Sequence, residues 1–183
     1  MRRNTRKAGS LVLLAALSCG DVDNFDIVES SSTQIPGCTV ACQVLSTLPF
    51  ADFGAMDLTQ NEELENQGVS KDQIDSVKVT DLVLTVTDPP GQDLTFIETI
   101  EFRVSAAGLS EKVIAQGGPF PAGLTQVHLN VLDVELKPYA SAESMTITTE
   151  TGPGSEMPPQ STTVEATITL SVDVNVSGVL GCD

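Results

Sequence analysis

The stretch that most constrains this chain is its last long one, Val164–Val176, written VEATITLSVDVNV. Val164, Ala166, Ile168, Leu170, Val172, Val174 and Val176 occupy the even positions, and every odd position between them is polar. Strand side chains alternate between faces with period 2, so this reads as one long β-strand with a dry side and a wet side. At about 3.3 Å per residue it would run some 43 Å, long enough to bend or to serve two neighbours. Burying its apolar side chains at about 1.5–3 kcal/mol each gives a gross term of order 10–20 kcal/mol. That term is realised only if another apolar face covers it.

Other segments supply the covering face. Ser76–Thr87 (SVKVTDLVLTVT) places Val77 and Val79 on one parity and Leu82, Leu84 and Val86 on the other. Such a parity switch predicts a β-bulge near Thr80-Asp81. Leu94–Val104 alternates on even positions except at Glu98, and is expected as one strand after the Asp88-Pro89-Pro90-Gly91 turn. Lys112–Gln116 is a short strand, and Gln126–Leu136 (QVHLNVLDVEL) repeats the bulge pattern. Gln43–Pro49 alternates weakly, and Ser144–Thr151 reads as a polar edge strand. Thr151–Ser161, rich in Pro and Gly, is expected to be the projecting tip of a hairpin joining the last two strands. As a projecting tip, it should be removable without loss of folding.

Two capping boxes, Thr59–Glu62 and Ser70–Gln73, predict short helices before the first long strand. The expected fold is an all-β antiparallel sandwich of about seven strands with one or two short helices. A small closed β-barrel is the alternative. The succession Asp81–Thr87, Asp88-Pro89-Pro90, Leu94–Val104, Lys112–Gln116, Gly117-Gly118 and Gln126–Leu136 distantly resembles the late-embryogenesis-abundant type-14 β-sandwich. Asp88-Pro89 stands where that family has an Asn-Pro turn, and Ile114-Ala115-Gln116-Gly117 stands at a short glycine step. The resemblance implies a sandwich and carries over no catalytic residue.

At the other end, residues 1–18 combine a basic start (Arg2, Arg3, Arg6, Lys7) with an uncharged run from Ala8 to Ser18. That run suits a signal peptide and is too short to span a bilayer. Leu14-Ala15-Ala16-Leu17-Ser18-Cys19-Gly20 resembles the lipobox of bacterial lipoproteins, with Ala16 where that family prefers Leu. The resemblance implies cleavage before Cys19, diacylation of Cys19, and a cell-envelope location. Gly20 favours the outer membrane over the inner, and secretion or a periplasmic location follows if Cys19 carries no lipid. Arg2-Arg3 is no twin-arginine signal, since Thr5 and Arg6 stand where hydrophobic residues should follow. Residues 19–36, polar and acidic, are expected to form a flexible lipid-anchored tether, and 37–183 the β-sandwich domain.

An exported chain meets an oxidising compartment. With Cys19 lipidated, Cys38, Cys42 and Cys182 remain as disulfide candidates. Joining Cys182 to Cys38 or Cys42 would close a loop of about 140 residues and contribute roughly 4–5 kcal/mol in the chain-entropy model. The alternative is a local Cys38–Cys42 bridge. Cys38, Cys42, Cys182 and His128 are zinc-ligand types, but their spacing matches no zinc signature. Asp21-x-Asp23-Asn24-x-Asp26 lacks the ligands of a calcium loop, with Phe25 and Asp26 at positions that need oxygen and Gly. No metal site or cofactor is expected.

The formal charge is −16, and removing the four basic residues of the leader leaves five Lys and Arg against 25 acids, a net −20. So negative a surface repels nucleic-acid backbones and anionic lipid headgroups. Trp is absent and Tyr139 is the one Tyr, which argues against ring-dependent carbohydrate recognition. No nucleophile elbow or metalloprotease helix is present. His128 lies on the polar parity as a solvent-facing residue, and Glu98 reads as an exposed acid near a strand end, with a paired carboxylate as the alternative. The expected function is a non-catalytic, membrane-anchored binding or scaffolding domain whose partner is an envelope protein. The alternatives are a hydrolase working through paired carboxylates of raised pKa, or a divalent-cation-binding surface protein.

Overall fold

The computed structural model describes residues 24–175, apart from 41, 55, 57–63, 65, 67, 68 and 143. Eight strands form two four-stranded antiparallel sheets. They are β1 (Asn24–Ile35), β2 (Ile74–Asp88), β3 (Ile100–Ala106), β4 (Lys112–Gly117), β5 (Gln126–His128), β6 (Asn130–Val131), β7 (Met145–Thr151) and β8 (Thr162–Val174). Sheet one has the order β1-β8-β2-β5 and sheet two the order β6-β4-β3-β7. The sheets do not close on each other, so the architecture is the expected sandwich and not the barrel.

The alternating stretch, as β8, lies between two long partners. It pairs with β1 without interruption from Asn24↔Asp173 to Ile35↔Thr162. On its other side it pairs with β2 from Ile74↔Val174 to Asp88↔Thr163. Val164, Ala166, Ile168, Leu170, Val172 and Val174 are all at most 2 % exposed. The expected bulge in β2 is present: Val79 pairs with Leu170 and Asp81 with Thr169, leaving Thr80 over. Without it, Leu82, Leu84 and Val86 would face solvent on the parity set by Val77 and Val79. With it, all five lie in the core.

Four expectations are corrected. Residues 24–35, read as tether, are strand β1, so the sandwich begins at Asn24 and not at residue 37. Its inward positions include Ser31 and Thr33, which masked the period-2 signal. The Ser31 hydroxyl is satisfied by Asp52, donating to its carboxylate and accepting from its backbone N–H.

Leu94–Thr99 is not strand. Leu94 and Ile97 are three apart and both buried, because the chain turns, with the Ile97 N–H donating to the Leu94 carbonyl. Gln126–Leu136 does not bulge within one sheet. It changes sheets, β5 pairing with β2 and β6 with β4, with buried Leu129 at the corner. Finally, β7 and β8 belong to different sheets, so residues 152–161 cross between layers and are no hairpin tip.

Other expectations hold. Strand β7 is an edge strand, covered along part of its length by residues 44–56: the Thr151 N–H donates to Ser46, and Met56 bridges Met145. Thr149, buried in this contact, exchanges hydrogen bonds with both backbone groups of Leu48. The Ser70 box closes a one-turn 3-10 helix, Lys71–Gln73, with the Gln73 side chain accepting from Ser70 N–H at 2.9 Å. The Thr59 box falls outside the described residues.

The core position of β8 yields a paired test. Ile168→Ala should destabilise the protein by about 2–5 kcal/mol. Thr169→Ala, one residue on and facing outward, should stay within about 0.5 kcal/mol. Urea denaturation read at constant m-value measures both. The crossing segment gives a second test. Ser155 and Pro158 are buried within it, and Cys38 and Leu45 donate to its carbonyls. Excising residues 152–160 should therefore abolish cooperative unfolding, measured by circular dichroism.

Candidate functional site

At the end where β1 and β2 finish and β8 begins, four irregular segments converge: residues 36–45, 89–99, 118–125 and 152–161. Binding residues concentrate on loops held by a rigid scaffold, so this end is the candidate site.

The segments are tied together by named bonds. Cys38 is disulfide-bonded to Cys42, the local alternative rather than the long-range bridge to Cys182. The bridged arm runs beside the crossing segment: Cys38 N–H donates to the Pro158 carbonyl at 2.9 Å and Leu45 N–H to the Ser155 carbonyl at 3.0 Å. Between them Val44 forms an antiparallel bridge with Glu156. On the far side of that segment, Glu156 N–H donates to the Phe96 carbonyl at 2.9 Å, and the Ser155 hydroxyl accepts from Glu98 N–H. Glu98 lies outside any strand, exposed as expected. Its carboxylate accepts from Gly154 N–H at 2.8 Å, so it braces the crossing segment.

Asp93 joins the remaining pair of loops. Its carboxylate accepts from the Thr95 hydroxyl at 2.6 Å, the Thr95 N–H at 3.2 Å and the Gly123 N–H at 2.8 Å. The Thr95 hydroxyl bond, then the Gly123 amide bond, hold its pKa below the ordinary value of 3.8 despite some desolvation. Gly118 is needed here for shape. Its φ of +110° suits glycine, and a Cβ would collide with the Glu98 carbonyl oxygen.

An open cleft of about 480 Å³ lies between the 91–96 turn and the crossing segment. Asp93, Thr95 and Glu156 give it polar walls, and Phe96, Met157 and Pro159 give it apolar ones. It brings two carboxylates together, as a carboxylate hydrolase would need. Asp93, however, is held ionised by three donors, the opposite of the raised pKa a general acid requires.

The other sequence candidates lie elsewhere. His128 is exposed on β5, as expected, but has a partner the sequence did not reveal: its Nδ1 is 2.9 Å from an Asp81 carboxylate oxygen on β2. No hydroxyl or thiol among the described residues hydrogen-bonds the ring, so the pair lacks a nucleophile. Cys19 and Cys182 fall outside the described residues. Among the described residues, no group of three His, Cys, Asp or Glu side chains is placed to hold a metal ion. No described helix is long and apolar enough to cross a membrane.

No protein-family model matches the chain, and no curated protein matches it.

The Asp93 bonds predict a pH signature. A carboxylate with a depressed folded-state pKa stabilises the fold above its unfolded value and loses that contribution as pH falls through the folded one. Asp93→Ala should therefore lower the melting temperature at about pH 7, and the gap from the parent protein should narrow as the pH falls below the ordinary carboxyl value of 3.8. Thermal unfolding of both proteins across that range measures it.

Proposed function

We propose that this chain is a cell-envelope lipoprotein, anchored through diacylated Cys19, whose β-sandwich binds or scaffolds another envelope component and does not turn over a substrate. The observation that carries the reading is the run Leu14–Gly20 with its basic and apolar leader. The fold supports it by position. Strand β1 opens at Asn24, five residues after Cys19, at the end of the sandwich opposite the convergent loops. Five residues span at most about 17 Å. An acyl group on Cys19 would keep the β1 start near the bilayer and turn the loop end outward, some 40 Å away by the length of the strand.

The chemistry at the loop end favours binding over catalysis. The carboxylates of Asp93 and Glu98 are engaged in holding loops. An outer-membrane location rests on Gly20. The likeness to the late-embryogenesis-abundant type-14 sandwich agrees with the architecture and adds no site residue.

The test is the intact mass of the protein extracted from membranes of its host, before and after reduction. The expected mass begins at Cys19, carries acyl chains, and rises by two hydrogens on reduction as the Cys38–Cys42 bridge opens. Cys19→Ala should move the protein from the membrane to the soluble fraction. A membrane-free protein without lipid would overturn the anchor.

A further inference from the structure

We propose that the loop end is a docking surface for a polypeptide segment that presents basic and apolar side chains on one face, seated across Val44, Glu156 and the cleft beside Asp93. The inference deepens the binding reading above and depends on it for the role of this end, but not on the lipid anchor.

Two independent observations converge. The first is exposed apolar surface. Five large apolar side chains are exposed among the described residues, and three of them, Val40 at 84 %, Val44 at 61 % and Leu124 at 42 %, lie at this end. They are not loose. Val40 sits inside the disulfide-closed arm, Val44 is bridged to Glu156, and Leu124 accepts from Leu94 N–H through its carbonyl. A disulfide and a β-bridge restrict the chain that holds these valines in water, which lowers the ordering cost of binding.

The second observation is charge. Residues 36–45, 88–99, 117–125 and 151–162 contain no Lys, Arg or His, while they hold Asp88, Asp93, Glu98 and Glu156. The described basic side chains with ion pairs are elsewhere: Lys78 with Asp133, Arg103 with Glu101, Glu111 and Glu150, and Lys137 with Asp75. An incoming cation therefore meets no like charge at this end, and an incoming anion meets only repulsion.

Geometry joins the two. Residues opposed across an antiparallel bridge present their side chains on the same face, so Val44 and Glu156 stand side by side. Glu156 also lines the cleft, with Asp93 across from it and Met157 and Pro159 alongside. A segment lying across this row would set an apolar side chain on Val44, a basic one on Glu156 and a second basic one into the cleft. A nucleic acid or an acidic peptide is excluded by the same charges.

The experiment uses the full-length protein as its host makes it, in nanodiscs of zwitterionic lipid where it carries acyl chains and free in buffer where it does not, with empty nanodiscs or buffer as the blank. The probes are two fluorescein-labelled dodecapeptides, one placing Lys and Val two residues apart, on one face of an extended chain, between Gly-Ser spacers, the other Glu and Val in the same places. Fluorescence anisotropy should show binding of the Lys peptide and none of the Glu peptide. Glu156→Lys and Val44→Asp should each weaken binding by about tenfold or more. Asp26→Lys, the same charge change on the exposed face of β1, should alter it by less than about twofold. Val44→Asp provides the reading if Glu156→Lys proves unstable by circular dichroism. No binding of the Lys peptide, or equal losses from Asp26→Lys and Glu156→Lys, would overturn the proposal. Either result leaves the Cys19 mass measurement standing, and loss of the anchor leaves the peptide result standing.

Discussion

The dry face of β8 is the constraint on which the rest of the sandwich depends. Six apolar side chains on one face of one strand must be covered along their whole length. A strand at a sheet edge could not meet that demand and also satisfy its outer backbone groups. Placing β8 between β1 and β2 pairs both edges, and sheet two then covers the face. The bulges in β2 follow from this arrangement. A long partner strand must match the twist and alternation of β8, and β2 does so by dropping a residue out of register wherever its own parity changes.

The sides of the sandwich are closed by irregular segments, held through backbone and side-chain polar groups, rather than by further strands. The segment from Val44 to Met56 lies beside edge strand β7, and its 3-10 turn reaches β1 through Asp52 and Ser31. On the other flank, Glu135 accepts from the Ser76 hydroxyl and from the Val77 and Lys137 amides, fastening the chain after β6 to β2. Burial disfavours the charged form of Glu135, yet these bonds outweigh it and its pKa is lowered. Polar groups thus finish the borders that apolar alternation cannot, because a strand edge exposes N–H and C=O groups that only another polar atom satisfies.

This division explains what could be read from sequence. The dry face of β8 and the bulge at Thr80 were legible because period-2 parity is local and each is written in consecutive residues. Strand β1 was not legible, since Ser31 and Thr33 point inward, and Ser31 is satisfied only by Asp52, distant in the chain. The run from Leu94 to Thr99 mimics a strand while its burial comes from a turn. Sheet membership was hidden for the same reason: nothing near Leu129 or Pro158 states which layer the next strand joins. The Cys38–Cys42 pairing was one of two readings, and the geometry of the arm decided it. The loop-end cleft carried no motif at all, because its walls come from segments some sixty residues apart that meet only once the layers are stacked.

The same stacking gives the molecule its polarity. Charge of one sign keeps a protein soluble and repels most neighbours, so an acidic surface is a poor binder in general. It becomes selective where apolar side chains interrupt it, since desolvation then rewards only a partner that brings both an apolar contact and the opposite charge. Val40, Val44 and Leu124 make that interruption at the end where β1 finishes, away from Asn24. The crossing segment, required by the core to carry the chain from β7 to β8, is also what places Glu156 beside Val44 and walls the cleft. Packing and the proposed recognition therefore share one piece of backbone, and a change that loosens the first should blur the second.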